Sequence, residues 1–339
     1  MNYRDFGKTN LKVSEIGLGC SSLGGGLYYK NDRESVYTLL QALDSGINFY
    51  DVSDHNTQGA AERLIGQTFK DRRDQVIIAS KAGFVFSGLG KFAFKMRPLV
   101  RPVSRLLRPF KSSLHSIRAK QLRRYDFSPQ YLIQAVEKSL KRLQTDYLDL
   151  FQLYKPSLAI IEKGDFLEAL EKLKLQGKIR YYGIACLTVQ DAIACLEHSG
   201  ISSVQVAINL IDREAVTKLL PLIREKRVAL VARYPRAMSL FVDDHNDITA
   251  DMSAYSQKEI EERKESAEMF RFLVREGRTM AQAAIRFVLQ LDGVSVVLPR
   301  AVNRKQLEEN LGSLHAPSLN NKEFDRIYSV DVLQTVAKS

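Results

Sequence analysis

Eight short apolar runs, each followed by a stretch with helical spacing, recur at even intervals along the chain, and this alternation limits the fold more than any other feature. The runs are 15–19, 47–50, 75–80, 147–151, 179–184, 203–207, 228–232 and 294–298. The segments between them carry apolar residues three and four apart, as in Val36, Leu39, Leu40 and Leu43, or run between clear caps, as from Ser128-Pro129 to Leu143. Short apolar strands separated by helices are buried on both faces and pair in parallel. Eight of them, without a break in spacing, predict one closed (β/α)8 TIM barrel over 1–339. Ahead of the first strand, residues 1–14 read as a β-hairpin turning at Gly7-Lys8-Thr9-Asn10; a C-terminal helix follows the one at 303–311.

The competing architecture is a doubly wound sheet. Gly17-x-Gly19-x-x-x-x-Gly24 after the first strand looks like a dinucleotide fingerprint. Its spacing is wrong, and Tyr28-Tyr29-Lys30-Asn31 separates the glycines from the next helix, so no helix N-terminus would meet a pyrophosphate. The barrel is the better solution. No run of about 18 apolar residues predicts a membrane span, and the first residues lack the apolar core of a signal peptide. Cys20, Cys186 and Cys195 are few and odd in number. That suits a reducing cytoplasm and, with no paired spacing to the five histidines, predicts no metal.

Within this frame, Gly46-Ile47-Asn48-Phe49-Tyr50-Asp51-Val52-Ser53-Asp54-His55-Asn56 is the stretch that points to chemistry. A buried strand there ends on a carboxylate and opens into a polar loop. In parallel α/β folds that edge carries the active site. The third strand ends on Lys81 at the same edge.

Several motifs then resemble the aldo-keto reductase family. They are Tyr3-Arg-x-Phe-Gly-Lys-Thr-x-Leu-x-Val-Ser-x-Ile-Gly-Leu-Gly19, Gly46 to Asp51, Glu62-x-x-Ile-Gly66 and Ser80-Lys81. Ser139-Leu-Lys-Arg-Leu-x-Thr-Asp-Tyr-Leu-Asp-Leu-Phe-Gln152, Lys174-x-x-Gly177-Lys-Ile-Arg-Tyr-Tyr-Gly183 and Gln306-Leu-Glu-Glu309-Asn310 continue the series in order. The resemblance implies a barrel that binds NADP(H) or NAD(H) and moves hydride to or from a carbonyl. Of the family's four catalytic residues, the Asp matches Asp51 and the Lys matches Lys81. The Tyr falls on Asn56, and the His falls on Tyr154. An Asn side chain donates hydrogen bonds but cannot deliver a proton at neutral pH, so Tyr154 or His55 is expected to replace the missing acid. For the cofactor, the resemblance places the family's Ser-Asn pair on Ala185-Cys186 and its ring-stacking aromatic on Arg233. It keeps Gln205, Glu309 and Asn310. Arg300, ahead of a helix, suits a 2′-phosphate and favours NADP(H) over NAD(H).

The net charge of +11 is local. Residues 85–124 hold 11 Lys or Arg and no Asp or Glu, so this insert after the third strand accounts for the whole excess. It should overhang the active-site mouth. Three readings stay open: a lid that binds an anionic substrate, an interfacial segment for anionic lipid or an acidic partner, or a solvated loop. Nucleic acid is a poor fit for charge confined to one loop. The sequence thus predicts a cytoplasmic oxidoreductase, peripheral to a membrane where the insert serves as the interfacial segment, acting on a carbonyl or hydroxyl of a small, anionic or sugar-like substrate. A non-redox lyase or isomerase using Asp51, Lys81 and Tyr154, and a catalytically silent binding homologue, are the alternatives.

Overall fold

The structure is a computed structural model that describes residues 1–23, 32–86, 123–242 and 255–331. The basic insert lies outside the described residues except at its two ends, and so does Gly24 of the glycine motif. In chain order the strands are β1 (Tyr3–Asp5), β2 (Lys12–Ser14), β3 (Leu18–Gly19), β4 (Phe49–Asp51), β5 (Ile77–Ala82) and β6 (Phe84–Phe86). They continue as β7 (Arg123–Tyr125), β8 (Leu148–Tyr154), β9 (Ile179–Ala185), β10 (Ser203–Ala207), β11 (Ala229–Arg233) and β12 (Val296–Leu298). Eight of them form one parallel sheet in the order β3-β4-β5-β8-β9-β10-β11-β12. Parallel bridges Ile16 to Val297 and Gly19 to Arg300 join its two edges. The result is the expected (β/α)8 barrel.

The helices fall between the strands: α1 (Asp32–Asp44), α2 (Ala60–Phe69), α3 (Pro129–Leu143), α4 (Leu158–Lys163), α5 (Leu167–Leu175) and α6 (Val189–Cys195). Then come α7 (Glu214–Lys218), α8 (Leu220–Lys226), α9 (Gln257–Glu268), α10 (Met280–Leu289), α11 (Arg304–Gly312) and α12 (Asn321–Ser329). Local chemistry sets the ends. Ser128 caps α3 by accepting from Tyr131 N, with Pro129 in the first turn. Thr188, Ser256, Thr279 and Asn320 each close a reciprocal capping box. The stretch between β10 and β11 holds two helices, α7 and α8, because Pro221 in the first turn of α8 has no N–H to continue the ladder.

Side chains alternate in and out along each strand, and this splits the core in two. Outward residues pack under the helices. Inward ones form a separate cluster: Phe49, Ile77, Ala79, Leu150, Ala229, Val231, Val296 and Leu298, joined by Phe6, Leu11 and Val13 of the N-terminal hairpin. The hairpin therefore plugs the amino end of the barrel. Asn48 ties it there, accepting from Ser14 N (2.8 Å) and donating to Lys12 O (2.8 Å). With the lower lumen filled mainly by apolar side chains, the charged inward residues Asp51, Lys81 and Arg233 lie at the carboxyl ends of their strands.

Several motif residues turn out to be scaffold. A Cβ on Gly66 of α2 would lie 2.4 Å from the Leu143 carbonyl oxygen, so only glycine lets α2 approach the end of α3. Glu62, fully buried, accepts from Ser80 Oγ (2.7 Å) and from Arg142 Nε (2.5 Å), which ties α2 to β5 and α3. Asp149 on β8 is equally buried, and its carboxylate takes Arg73, Arg180 and the amide of Ile78. Removing one partner of a buried ion pair strands the other charge. Arg142→Met is therefore expected to cost about 3–5 kcal/mol in urea unfolding. A loss of less than about 1 kcal/mol would show that the Glu62 network is not structural.

Candidate active site

The inward parity carries Asp51, Lys81, Gln152, Gln205 and Arg233 to the upper lumen, each two residues beyond an apolar inward neighbour or within the same alternation. Lys81 is 5% and Asp51 7% exposed. Lys81 Nζ lies 2.5 Å from Asp51 Oδ1 and 2.9 Å from the Val52 carbonyl. The other carboxylate oxygen, Oδ2, accepts from Gln205 Nε2 (2.9 Å) and Gln152 Nε2 (3.3 Å). A buried charge pair is stable only when its remaining lone pairs and protons are met, and here strands β4, β5, β8 and β10 meet them. Gln205, expected at the cofactor, has its amide nitrogen on Asp51. Gln152 was not singled out from sequence. The signal was there in the alternation Leu150, Gln152, Tyr154, because β8 runs three residues past its expected end at Phe151.

A cleft of about 170 Å³ opens above this pair. Asp51, Lys81, His55, Asn56, Tyr154, Gln205, Arg233 and Arg300 all line it, so every proposed catalytic position and three of the cofactor positions converge. The His55 ring packs between Tyr154 (centroids 4.7 Å) and Phe84 (5.1 Å). Its Nδ1 stands 3.6 Å from Asp54 Oδ1. Asn56 is engaged elsewhere: its Oδ1 accepts from Ser53 Oγ at 2.5 Å. Behind Asp54, the phenol of Tyr131 is held well above its ordinary range, first by burial and then by the Asp54 charge, so it stays protonated and donates to Asp54 Oδ2 (3.4 Å).

The stem of the basic insert borders the same mouth. β6 and β7 pair antiparallel, Phe84 with Tyr125 and Phe86 with Arg123, so the chain leaves and returns as a two-stranded ribbon next to His55. Two loops beside the cleft hold residues in the left-handed region: Thr57 and Gln58 (φ 48° and 52°) after β4, and Tyr234, Ala237, Met238 and Ser239 (φ 47° to 73°) after β11. Such backbone persists only where surrounding structure holds it, and it clusters at functional sites.

The remaining cofactor positions are dispersed. The thiol of Cys186 is fully buried and faces Cys195 Sγ (3.6 Å), away from the cleft. Burial first, and Cys195 second, raise its pKa well above the usual thiol range. Only its carbonyl points toward the site, where it accepts from Arg233 Nη2 (2.6 Å). Glu309 and Asn310 lie on α11. The Glu309 carboxylate accepts from Thr279 Oγ1, and Asn310 Nδ2 donates to the Arg300 carbonyl (3.2 Å). Arg236, which sequence reasoning missed, also lines the cleft and donates to that carbonyl (2.6 Å). Nothing local marked it.

Comparison with known proteins agrees with this architecture. The chain is 29% identical to the uncharacterized oxidoreductase YqkF of Bacillus subtilis, over 97% of this chain and 96% of that one. It is 25% identical to the NADH-specific methylglyoxal reductase of Escherichia coli, over 91% and 92%. The holo form of aldo-keto reductase AKR11C1 from Bacillus halodurans superposes with a TM-score of 0.74 at 27% identity, covering both chains completely. Among the described residues no helix is long and apolar enough to cross a membrane. The model of the aldo/keto reductase family matches residues 15–332, and the chain belongs to that family.

Proposed function

We propose that this protein is an NAD(P)(H)-dependent oxidoreductase acting on a carbonyl or hydroxyl of a small substrate, with Tyr154 as the proton donor and acceptor. The observation that carries the reading is the buried Lys81–Asp51 pair in one cleft with the phenol of Tyr154. Reducing a carbonyl leaves charge on its oxygen unless a proton arrives with the hydride. Lys81, fixed by Asp51 and the Val52 carbonyl, supplies a preorganised positive charge for that oxygen. Asn56 cannot give the proton, and its amide oxygen is already bonded to Ser53. Tyr154 ends β8 on the inward face, its ring against His55, so the phenol delivers the proton and His55 is the neighbour able to relay it.

The residues on the β11 and β12 side fit a dinucleotide. Arg236 and Arg300 give that wall the positive charge a diphosphate needs, and Asn310 Oδ1 is buried with no hydrogen-bond partner among the described residues. Gln205, Arg300, Glu309 and Asn310 would hold the cofactor, with the backbone at Cys186 bordering it. When bound, the cofactor supplies or accepts the hydride. Arg300 favours the 2′-phosphate of NADP(H), although one relative is named as NADH-specific.

Two measurements test this. Fluorescence titration should show NADPH binding that Arg300→Ala weakens about tenfold or more, as for loss of a charge-assisted hydrogen bond, with a smaller effect on NADH. Absence of binding by either nucleotide up to millimolar levels would sink the oxidoreductase reading. With an active carbonyl substrate, Tyr154→Phe should lower kcat roughly 10²–10⁴-fold, the usual contribution of a positioned acid, without changing cofactor affinity. A larger loss in His55→Ala than in Tyr154→Phe would move the proton to the imidazole.

A further inference from the structure

The loop after β4 buries two polar atoms that face one another. Asp54 Oδ1 and His55 Nδ1 each lack a hydrogen-bond partner among the described residues, and they stand 3.6 Å apart. A buried polar atom left unmet is costly. One proton on Nδ1, aimed at Oδ1, meets both.

The carboxylate is held in place from three sides. The Asp54 amide donates to the Lys81 carbonyl (3.0 Å), which ties its backbone to β5. Its second oxygen, Oδ2, accepts from the phenol of Tyr131 on α3 (3.4 Å), and that phenol accepts from the Gly83 amide (3.4 Å). Burial first, and the Asp54 charge second, keep Tyr131 protonated, with Asp126 adding to the effect. Tyr131 is therefore a standing donor, and Oδ1 is left for His55.

The imidazole is fixed as well. Its ring packs against Phe84 of β6 and Tyr154 of β8, with centroids 5.1 and 4.7 Å away. Tyr125 of β7 backs Phe84, and Lys155 Nζ stands 5.1 Å from the Tyr154 ring centroid. The other imidazole nitrogen, Nε2, lies 3.5 Å from Ser53 Oγ, whose own proton goes to Asn56 Oδ1 (2.5 Å). Ser53, His55, Tyr154 and the Asp51–Lys81 pair line the cleft, and Asp54 is not among its lining residues. The ring thus has an inner nitrogen against a carboxylate and an outer one on the cleft side. In a neutral imidazole one nitrogen carries the proton, and the partner of each decides which. A proton on Nε2 would leave the Nδ1 lone pair facing a carboxylate. A proton on Nδ1 replaces that repulsion with a charge-assisted hydrogen bond.

We propose that Asp54 is a positioning residue that keeps a proton on His55 Nδ1, so that His55 gains and loses its exchangeable proton at Nε2, on the cleft side. Its role in turnover rests on the oxidoreductase reading above. The carbonyl carbon takes hydride from the cofactor and the oxygen takes the proton of Tyr154. The protonated ring returns a proton to the phenolate from Nε2 and recovers one from water, while the proton on Nδ1 stays. Oxidation of an alcohol runs these steps in reverse.

The first test needs no substrate. The full chain is labelled with nitrogen-15 histidine and its imidazole spectra are recorded at about pH 9, where imidazoles are neutral. The His55 signals are those lost in His55→Gln. The natural protein should show Nδ1 protonated and Nε2 bare. Asp54→Asn should move the proton to Nε2, because Tyr131 claims the carboxamide oxygen and the amide nitrogen then faces Nδ1. With a carbonyl substrate, Asp54→Asn should lower kcat about tenfold or more, as for a base left in the wrong tautomer, with KM little changed. In a His55→Gln background the same substitution should add nothing. A bare Nδ1 or mixed tautomers in the natural protein would overturn the assignment, and that result does not depend on whether Asp54→Asn folds. So would a folded Asp54→Asn protein that keeps the proton on Nδ1. Carbonyl reduction untouched by Asp54→Asn would also overturn it and leave the oxidoreductase reading in place. A proton held on Nδ1 by Asp54, in a protein that binds neither nucleotide, would support the Asp54–His55 pairing and overturn the oxidoreductase reading instead.

Discussion

The ion pair between Asp51 and Lys81 is the interaction on which the upper barrel depends. Two charges this deeply buried are expensive unless geometry and hydrogen bonding are complete. Here four strands contribute to completing them: Asp51 from β4, Lys81 from β5, Gln152 from β8 and Gln205 from β10. The Val52 carbonyl takes a further proton of Lys81. A shift of any of these strands by one residue would turn its side chain out of the lumen. The pair therefore fixes relative register around half the barrel as well as placing a buried cation on the lining of the cleft.

That arrangement also separates the roles of the site's cations. Lys81 is neutralised within the protein by Asp51. Arg233, in the next inward layer, has a backbone carbonyl but no carboxylate. Arg236 donates to the backbone carbonyl of Arg300 on the same β11–β12 side of the cleft. Tyr154 reaches the cleft because β8 is longer than its sequence suggests.

Much of what resembled a functional motif serves packing. Glu62, Gly66, Ser80 and Asp149 belong to the interface of α2, α3 and the strands beneath them. Gly183 lets β9 lie against Ser203, whose carbonyl oxygen would be 2.4 Å from an added Cβ. These residues tie helices and strands together, and none of them lines the cleft.

By itself the sequence determined the eightfold alternation, the hairpin, most helix ends and the convergence of Asp51 and Lys81, because strand periodicity, capping residues and strand-end carboxylates are local signals. The tertiary structure decided the rest. Gln152 and Gln205 reach Asp51 across 101 and 154 residues of chain, and nothing within either segment states that pairing. It also decided that the Cys186 thiol turns into the core while its carbonyl meets Arg233, and that His55 lies between Tyr154 and the stem of the insert. Parity along a strand can be read from one segment. Which donor meets which acceptor depends on how eight strands close, and that is a property of the barrel.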